Sequence, residues 1–205
     1  MAQRFRSYGY QDLAYSMYEG LREAYSRITS NKPDLLVAPL RGAEPLLRGI
    51  QAMADSDGRS NALPPYVFLE IGEAGGRPAD KDWTEANRRR IENKLGAALK
   101  GLGKEDADVM MLDETQHGVA FGRNYRQIKE FLNARFPKAR LRAIAISDCM
   151  KTGMRMSDPY LAGEDISVIG VKRLISMDQE ERLPNLWWDM KMDHSSTSGL
   201  TPPIS

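Results

Sequence analysis

Two adjacent acidic residues, Asp113 and Glu114, directly follow four apolar residues at positions 109–112. A short polar turn and Gly118 come next, and a helical pattern begins at Val119. A turn at a helix N-terminus presents free backbone N–H groups and the positive end of the helix dipole, which together bind phosphate. The two carboxylates would repel a phosphate but accept hydrogen bonds from neighbouring sugar hydroxyls. This segment therefore predicts a site for a ribose 5-phosphate group.

A second glycine turn lies earlier in the chain. The apolar run at 34–40 is too short for a buried helix and is closed by Pro39, which is typical of a buried strand. Arg41, Gly42 and Ala43 follow, and Pro45 stands near the start of a helix, where its missing N–H costs nothing. A strand, a glycine turn and a helix in this order also favour phosphate binding, although a solvated turn is the plainer interpretation of Arg41.

The elements that must position these two turns alternate along the chain. Apolar periodicity predicts helices at 10–28, 45–53, 83–102 and 119–136, and strands at 34–40, 66–71, 141–146 and 166–171, with a further strand ending at Leu112. Alternating strands and helices predict an α/β fold with a doubly wound, mainly parallel sheet of about five strands. Ligands of such sheets bind outside the carboxyl ends of the strands, where both turns would lie.

Length and composition favour one domain. The chain has 205 residues, which suffice for one substantial core. We expect a helical segment at 1–30 packed on the core, the main domain at 31–192 and a disordered tail at 193–205, where apolar residues are few.

Charge and cysteine content exclude several classes of function. The net charge is +1, so no global field attracts nucleic acid or an anionic membrane. One cysteine and two histidines leave no internal disulfide and no structural zinc cluster. The sequence has no apolar signal peptide and no membrane span, so we expect a cytoplasmic protein.

The segment around the acidic pair resembles the phosphoribosyl pyrophosphate (PRPP) motif of the type I phosphoribosyltransferases. In that motif four apolar strand residues precede two acids and a turn that leads into a helix. The resemblance implies that Asp113 and Glu114 bind the ribose at the catalytic centre. It also implies that the turn binds the 5-phosphate through Thr115, Gln116, His117, Gly118, Val119 and Ala120.

The turn after the predicted strand at 34–40 is similar to the family's pyrophosphate loop, which implies that Arg41, Gly42 and Ala43 bind the departing pyrophosphate. Mg²⁺ would be held mainly by substrate phosphates and water, with no dedicated metal site in the chain. The family's reaction transfers the phosphoribosyl group to a nucleobase-like acceptor with release of pyrophosphate.

The segment Trp187, Trp188 and Asp189 resembles the Pro-Trp-acid segment of some 6-oxopurine phosphoribosyltransferases, which implies base stacking. Paired tryptophans also anchor terminal segments onto a core or onto a second copy in a homodimer, and we favour that interpretation. Likewise, Arg77 and Lys81 belong either to a mobile lid or to an ordinary flexible loop.

The phosphate turn departs from the family pattern, because His117, Ala120 and Phe121 replace the expected hydroxyl residues. Three hypotheses therefore stand. The chain is a phosphoribosyltransferase that binds PRPP with Mg²⁺, a regulator that binds PRPP or a nucleotide without turnover, or a scaffold that has kept the fold. The altered turn favours the regulator.

Overall fold

The computed structural model describes residues 2–40, 42–71, 81–115, 119–147, 161 and 163–171, without the side chains of 2–14, 60, 81–84 and 119. Four α-helices and five strands are described, with a short 3-10 helix at Ser60–Ala62. In chain order they are α1 (Ala2–Asn31), β1 (Leu35–Pro39), α2 (Ala43–Ser56), β2 (Tyr66–Leu69), α3 (Lys81–Leu102), β3 (Asp108–Thr115), α4 (Val119–Arg135), β4 (Arg140–Ser147) and β5 (Ile166–Gly170).

The five strands form one sheet in the order β2-β1-β3-β4-β5, and every neighbouring pair is parallel. The chain passes from β1 outward to β2 and then returns across β1 to β3 on its other side. The carboxyl ends of β1 and β3 therefore flank the point where the strand order reverses, which is the usual ligand crevice of open α/β sheets. The α/β parallel sheet expected from the sequence is thus confirmed.

The sheet is covered on both faces, as a doubly wound sheet requires. One face carries the main buried cluster, in which Val37, Val109 and Ala145 pack with apolar residues of α3 and α4. Alternate strand residues such as Leu36 and Leu112 are also buried and point to the opposite face, where α2 packs on β1 and β3 and α1 packs on α2 and β5.

Helix α1 lies close to its neighbours because glycines stand at its contacts. A Cβ atom built on Gly20 would lie 2.5 Å from Cγ1 of Val171, and one built on Gly49 of α2 would lie 2.8 Å from Cδ1 of Leu21. The helix is longer than the predicted 10–28, because apolar spacing marks only the face that packs and not the polar turns that continue the helix beyond it.

Strand β3 continues three residues past the predicted end at Leu112. Asp113, Glu114 and Thr115 pair with Ala145, Ile146 and Ser147 of β4, so that backbone pairing holds the acidic pair in the sheet rather than in a loop. The predicted end of this strand at Leu112 is therefore wrong, whereas α4 begins at Val119 as predicted. Val119 and Ala120 belong to α4, so only residues 116–118 connect the two elements.

Polar contacts tie the amino ends of the central strands together. The backbone N–H of Asp108 donates to Oδ2 of Asp34 over 3.0 Å, and Lys104 donates to the other oxygen of the same carboxylate. Arg142 forms an ion pair with Asp108 and donates to Oδ1 of Asn31 over 2.9 Å. These groups hold the amino edge of the sheet together.

Several predicted residues lie outside the described ones. They are Arg41, Arg77, Gln116, His117, Gly118, Trp187, Trp188 and Asp189, together with the predicted tail. Lys81, the other residue assigned to the lid or flexible loop, is the first residue of α3 instead. Among the described helices, none combines the length and apolar character needed to cross a membrane.

Candidate functional site

The candidate site lies where β1, β3 and β4 end side by side. β1 ends at Pro39, and Leu40 donates its backbone N–H to the carbonyl of Leu69 on β2, over 2.7 Å, before the chain turns into α2. The register of β3 and β4 places Thr115 beside Ser147 at the same edge. Three strand ends thus lie side by side, and two of them, the ends of β1 and β3, precede the turns predicted from the sequence.

Gly42 is in contact with both predicted ribose-binding acids. A Cβ atom at this position would lie 2.6 Å from Cγ of Glu114 and 2.9 Å from Oδ1 of Asp113. The backbone of Gly42 has φ −73° and ψ −41°, which any residue can adopt. Glycine is therefore required here for space and not for conformation. The sequence predicted the glycine turn and the acids as separate features, and the fold places them next to each other.

Asp113 is buried, with 5% of its surface exposed. Its Oδ2 accepts a hydrogen bond from Nδ2 of Asn124 over 3.3 Å, and its Oδ1 accepts one from the backbone N–H of Glu114 over 2.9 Å. A buried carboxylate is tolerated when donors surround it, because hydrogen bonds replace the lost hydration. These two donors fix the carboxylate from two directions.

Glu114 points to the other face of β3, because side chains alternate along a strand. It is half-buried and its Cγ lies beside Gly42, immediately before the first residue of α2. The two acids thus lie on opposite sides of the strand end. Both can approach position 42 because Gly42 has no side chain there.

Helices α2 and α4 both begin at this edge. Ala43 is the first residue of α2 and is fully buried, and Val119 and the exposed Ala120 open α4. The helices have 14 and 17 residues, long enough for the positive end of each dipole and the free N–H groups of the first turn to favour an anion.

Thr115 is buried in β3, and its neighbour Ser147 on β4 is also buried. The sequence resemblance assigned Thr115 to the phosphate turn, but the residue pairs within the sheet instead, since β3 continues through it. Ser147 was missed, because only the strand register puts its hydroxyl next to Thr115.

Asn124 was also missed. It lies on α4 between Phe121 and Ile128, on the face that packs against the sheet, and all three are buried. An amide within an apolar helical stripe is a detectable signal, because a buried amide needs a hydrogen-bond partner. The sequence does not show that the partner is Asp113.

The carboxylates could contribute to a Mg²⁺ site but do not form one alone. Within the described ranges, no three histidine, cysteine, aspartate or glutamate residues come close enough to hold a metal ion. Mg²⁺ commonly takes one or two carboxylates and completes its shell with waters and substrate phosphates. Asp113 and Glu114 satisfy that requirement as a pair of adjacent acids.

Comparison with solved structures returns purine phosphoribosyltransferases. The chain is similar to the purine phosphoribosyltransferase from Pyrococcus horikoshii Ot3, with 9% identity, a TM-score of 0.38 and coverage of 78% of this chain and 84% of that one. It is also similar to the xanthine-guanine-hypoxanthine phosphoribosyltransferase of Helicobacter pylori, with 11% identity, a TM-score of 0.36 and coverage of 79% and 83%.

A third similar structure is the HGPRT-ase from Leishmania tarentolae in complex with GMP, with 11% identity, a TM-score of 0.36 and coverage of 80% of this chain and 79% of that one. No family model matches the sequence. No curated protein matches it either.

Proposed function

We propose that the chain is a type I phosphoribosyltransferase-like protein that binds PRPP or a nucleoside 5'-phosphate at the carboxyl edge of β1 and β3. The observation that carries the proposal is the contact of Gly42 with Asp113 and Glu114 at the point where the strand order reverses. A glycine that admits two carboxylates to the same turn is an arrangement suited to a sugar phosphate.

The sugar is recognised by the acids. An ionised carboxylate only accepts hydrogen bonds, and a ribose diol offers two adjacent donors. Asp113 is held in place by Asn124 and by the strand, and Glu114 stands on the opposite face of the same strand end. Two carboxylates so placed suit the pair of hydroxyls, whereas they would repel the phosphates of the same ligand.

The phosphates are bound at the helix starts. In this proposal the 5-phosphate binds at the N-terminus of α4, and the pyrophosphate binds at the N-terminus of α2, which Gly42 precedes. Residues 116–118 and Arg41 are the further groups that the sequence resemblance assigns to these phosphates. Mg²⁺ would neutralise the charge of the pyrophosphate, and Asp113 and Glu114 would be the residues that hold it through water. Because the net charge of the chain is only +1, long-range attraction contributes little and anion binding depends on these local donors.

If turnover occurs, a ring nitrogen of the acceptor forms a bond to C1 of the ribose while the bond from C1 to the pyrophosphate oxygen breaks. Pyrophosphate leaves with the electron pair, and the nitrogen's proton passes to solvent. The protein positions the reactants and stabilises the developing charge, so no covalent nucleophile is required.

Binding without turnover is the second candidate, and one observation favours it. Thr115, the remaining hydroxyl residue of the predicted phosphate turn, is buried in β3, and Ala120 stands where a hydroxyl is expected. The turn then offers backbone donors but fewer side-chain donors to the transition state. Assay of pyrophosphate release with a panel of nucleobases separates the two candidates.

Thermal unfolding with and without PRPP and Mg²⁺ tests the proposal. Ligand at one hundred times its dissociation constant adds about 2.7 kcal/mol to the free energy of unfolding, which raises the midpoint of a domain this size by about 5 to 11 °C. Nucleoside monophosphates form a parallel series. We expect the shift to disappear in the double variant D113N/E114Q.

The matched control is the double variant E105Q/D106N. It changes an equally adjacent acidic pair that is exposed and precedes the same strand at the opposite edge of the sheet. The ligand-induced shift should survive in this control. If the wild-type chain shows no shift with millimolar PRPP or nucleotides, the scaffold hypothesis replaces the proposal.

A further inference from the structure

Asn124 is a buried amide in an apolar setting. Only 6% of its surface is exposed, and it shares the inner face of α4 with Phe121, Tyr125 and Ile128. The helix does not need this side chain for its own backbone bonds, and an amide without a partner would destabilise the core. Its Nδ2 donates to Oδ2 of Asp113.

The other oxygen of Asp113 accepts the backbone N–H of Glu114. One donor therefore comes from the strand itself and the other from α4, so the carboxylate cannot rotate without losing a hydrogen bond. The same Oδ1 also faces the space that Gly42 leaves open. The direction in which Asp113 presents its oxygens thus depends on a residue of the neighbouring helix.

We propose that Asn124 is a positioning residue of the sugar-phosphate site, which orients the carboxylate of Asp113 toward the ligand's hydroxyls. The inference rests on the proposed function above and adds a residue outside the two turns. A ligand hydroxyl gains most from an acceptor whose direction is already fixed, because no rotational freedom is lost on binding.

The first test is N124L, which keeps the branching of the side chain at Cγ and removes the donor. We expect the affinity for PRPP with Mg²⁺, measured by calorimetry, to fall about tenfold, which is typical of losing one hydrogen bond to a charged group. Stability will also fall, and a purely structural residue would do the same. A second variant is therefore needed.

The variant N124D places a carboxyl group against Asp113 and separates the two roles. Two carboxyls in contact share a proton, because the like charge raises the pKa of the pair. Where the pair holds this proton, the hydrogen bond is restored and binding should approach that of the wild type. As the pH rises and the proton is lost, the two carboxylates repel each other, and affinity should fall about tenfold or more relative to the wild type at the same pH.

The wild type at each pH is the matched reference, because titration of the ligand phosphates is common to both proteins. Glu114 is the other described carboxylate at the site and is also unchanged. A structural role alone predicts a lower melting temperature in N124D without this added pH dependence of affinity.

The exchange variant D113N/N124D completes the test. It keeps the amide-carboxylate contact with donor and acceptor reversed, so stability should recover relative to the single variants. Binding should stay lost, because the carboxylate no longer stands on β3. Wild-type affinity in a folded N124L, or in N124D across the whole pH range, would overturn the inference. Absence of binding by the wild type would instead overturn the proposed function.

Discussion

A side chain added at position 42 would act mainly on the two acids. The atoms that a Cβ would meet belong to the side chains of Glu114 and Asp113, and Asp113 can move aside only by giving up one of its hydrogen bonds. The backbone conformation suits alanine, and alanine also lowers the entropy of the unfolded chain. The acids, however, would be displaced from the turn.

We therefore predict that G42A lowers the free energy of unfolding by about 1 to 3 kcal/mol and weakens PRPP binding at least about tenfold. Denaturant unfolding and calorimetry measure the two quantities. The control is G101A in the last turn of α3, where a Cβ meets nothing within 4 Å. It should leave binding unchanged. Wild-type binding by G42A would show that the close contact is not part of the site.

The sequence identified residues that stand at the ends of apolar runs, and it did not identify residues whose neighbours are brought close by helix packing or strand register. Asp113, Glu114 and Gly42 stand at recognisable ends of apolar runs, so their positions at the carboxyl edge follow from the order of elements. Asn124 and Ser147 gain their neighbours only through helix packing and strand register. Those long-range contacts are not encoded in any local pattern.

At the scale of elements, the two edges of the sheet have different roles. At the amino edge, Asp34 joins the start of β1 to the start of β3 through the backbone N–H of Asp108. This hydrogen bond is the main reason why the pKa of Asp34 lies below its usual value, and the hydrogen bond from Lys104 is the second. The carboxyl edge carries the acids that the sequence resemblance assigns to a ligand.

We predict that D34N lowers the free energy of unfolding by about 1 kcal/mol at pH 7, because the charge-assisted bonds are weakened. A lowered pKa stabilises the fold above the unfolded value near 3.9, and this contribution is lost as the pH falls through the folded pKa. The difference between D34N and the wild type should therefore shrink as the pH falls below the unfolded value near 3.9.

Urea unfolding at several pH values measures the effect of D34N, with D106N as the exposed control that should match the wild type throughout. PRPP binding at neutral pH should be unaffected in both variants, since Asp34 lies at the other edge. A constant difference between D34N and the wild type down to pH 3 would contradict the assignment of the stabilisation to the ionised carboxylate.

Element boundaries show how far periodicity can predict a fold. All five strands were expected near their observed places, because short apolar runs bounded by turns are typical of buried parallel strands. The error lay in β3, where polar residues 113–115 remain in the sheet. Apolar content ends at Leu112, but backbone pairing with β4 does not depend on side-chain polarity and continues to Ser147.

At the scale of the whole molecule, the central strands of the sheet should be more rigid than the helix starts at its carboxyl edge. β3 is paired on both sides, by β1 and β4, whereas β2 and β5 are the outer strands and Val168 of β5 is exposed. Central strands open only with global unfolding, while the first turns of helices exchange their amide hydrogens more readily. A ligand at the carboxyl edge should therefore alter exchange there and not at the amino edge.

We predict that PRPP with Mg²⁺ slows amide hydrogen exchange in the first turns of α2 and α4 and leaves residues 104–108 unchanged. The physical reason is that free N–H groups at the two helix starts become hydrogen-bonded to phosphate, whereas the amino edge is already held by its own ion pairs. Mass spectrometry of exchange in the wild type and in D113N/E114Q measures this effect. Slowing confined to the wild type would assign the ligand to this edge, and equal slowing in both proteins would place it elsewhere on the molecule.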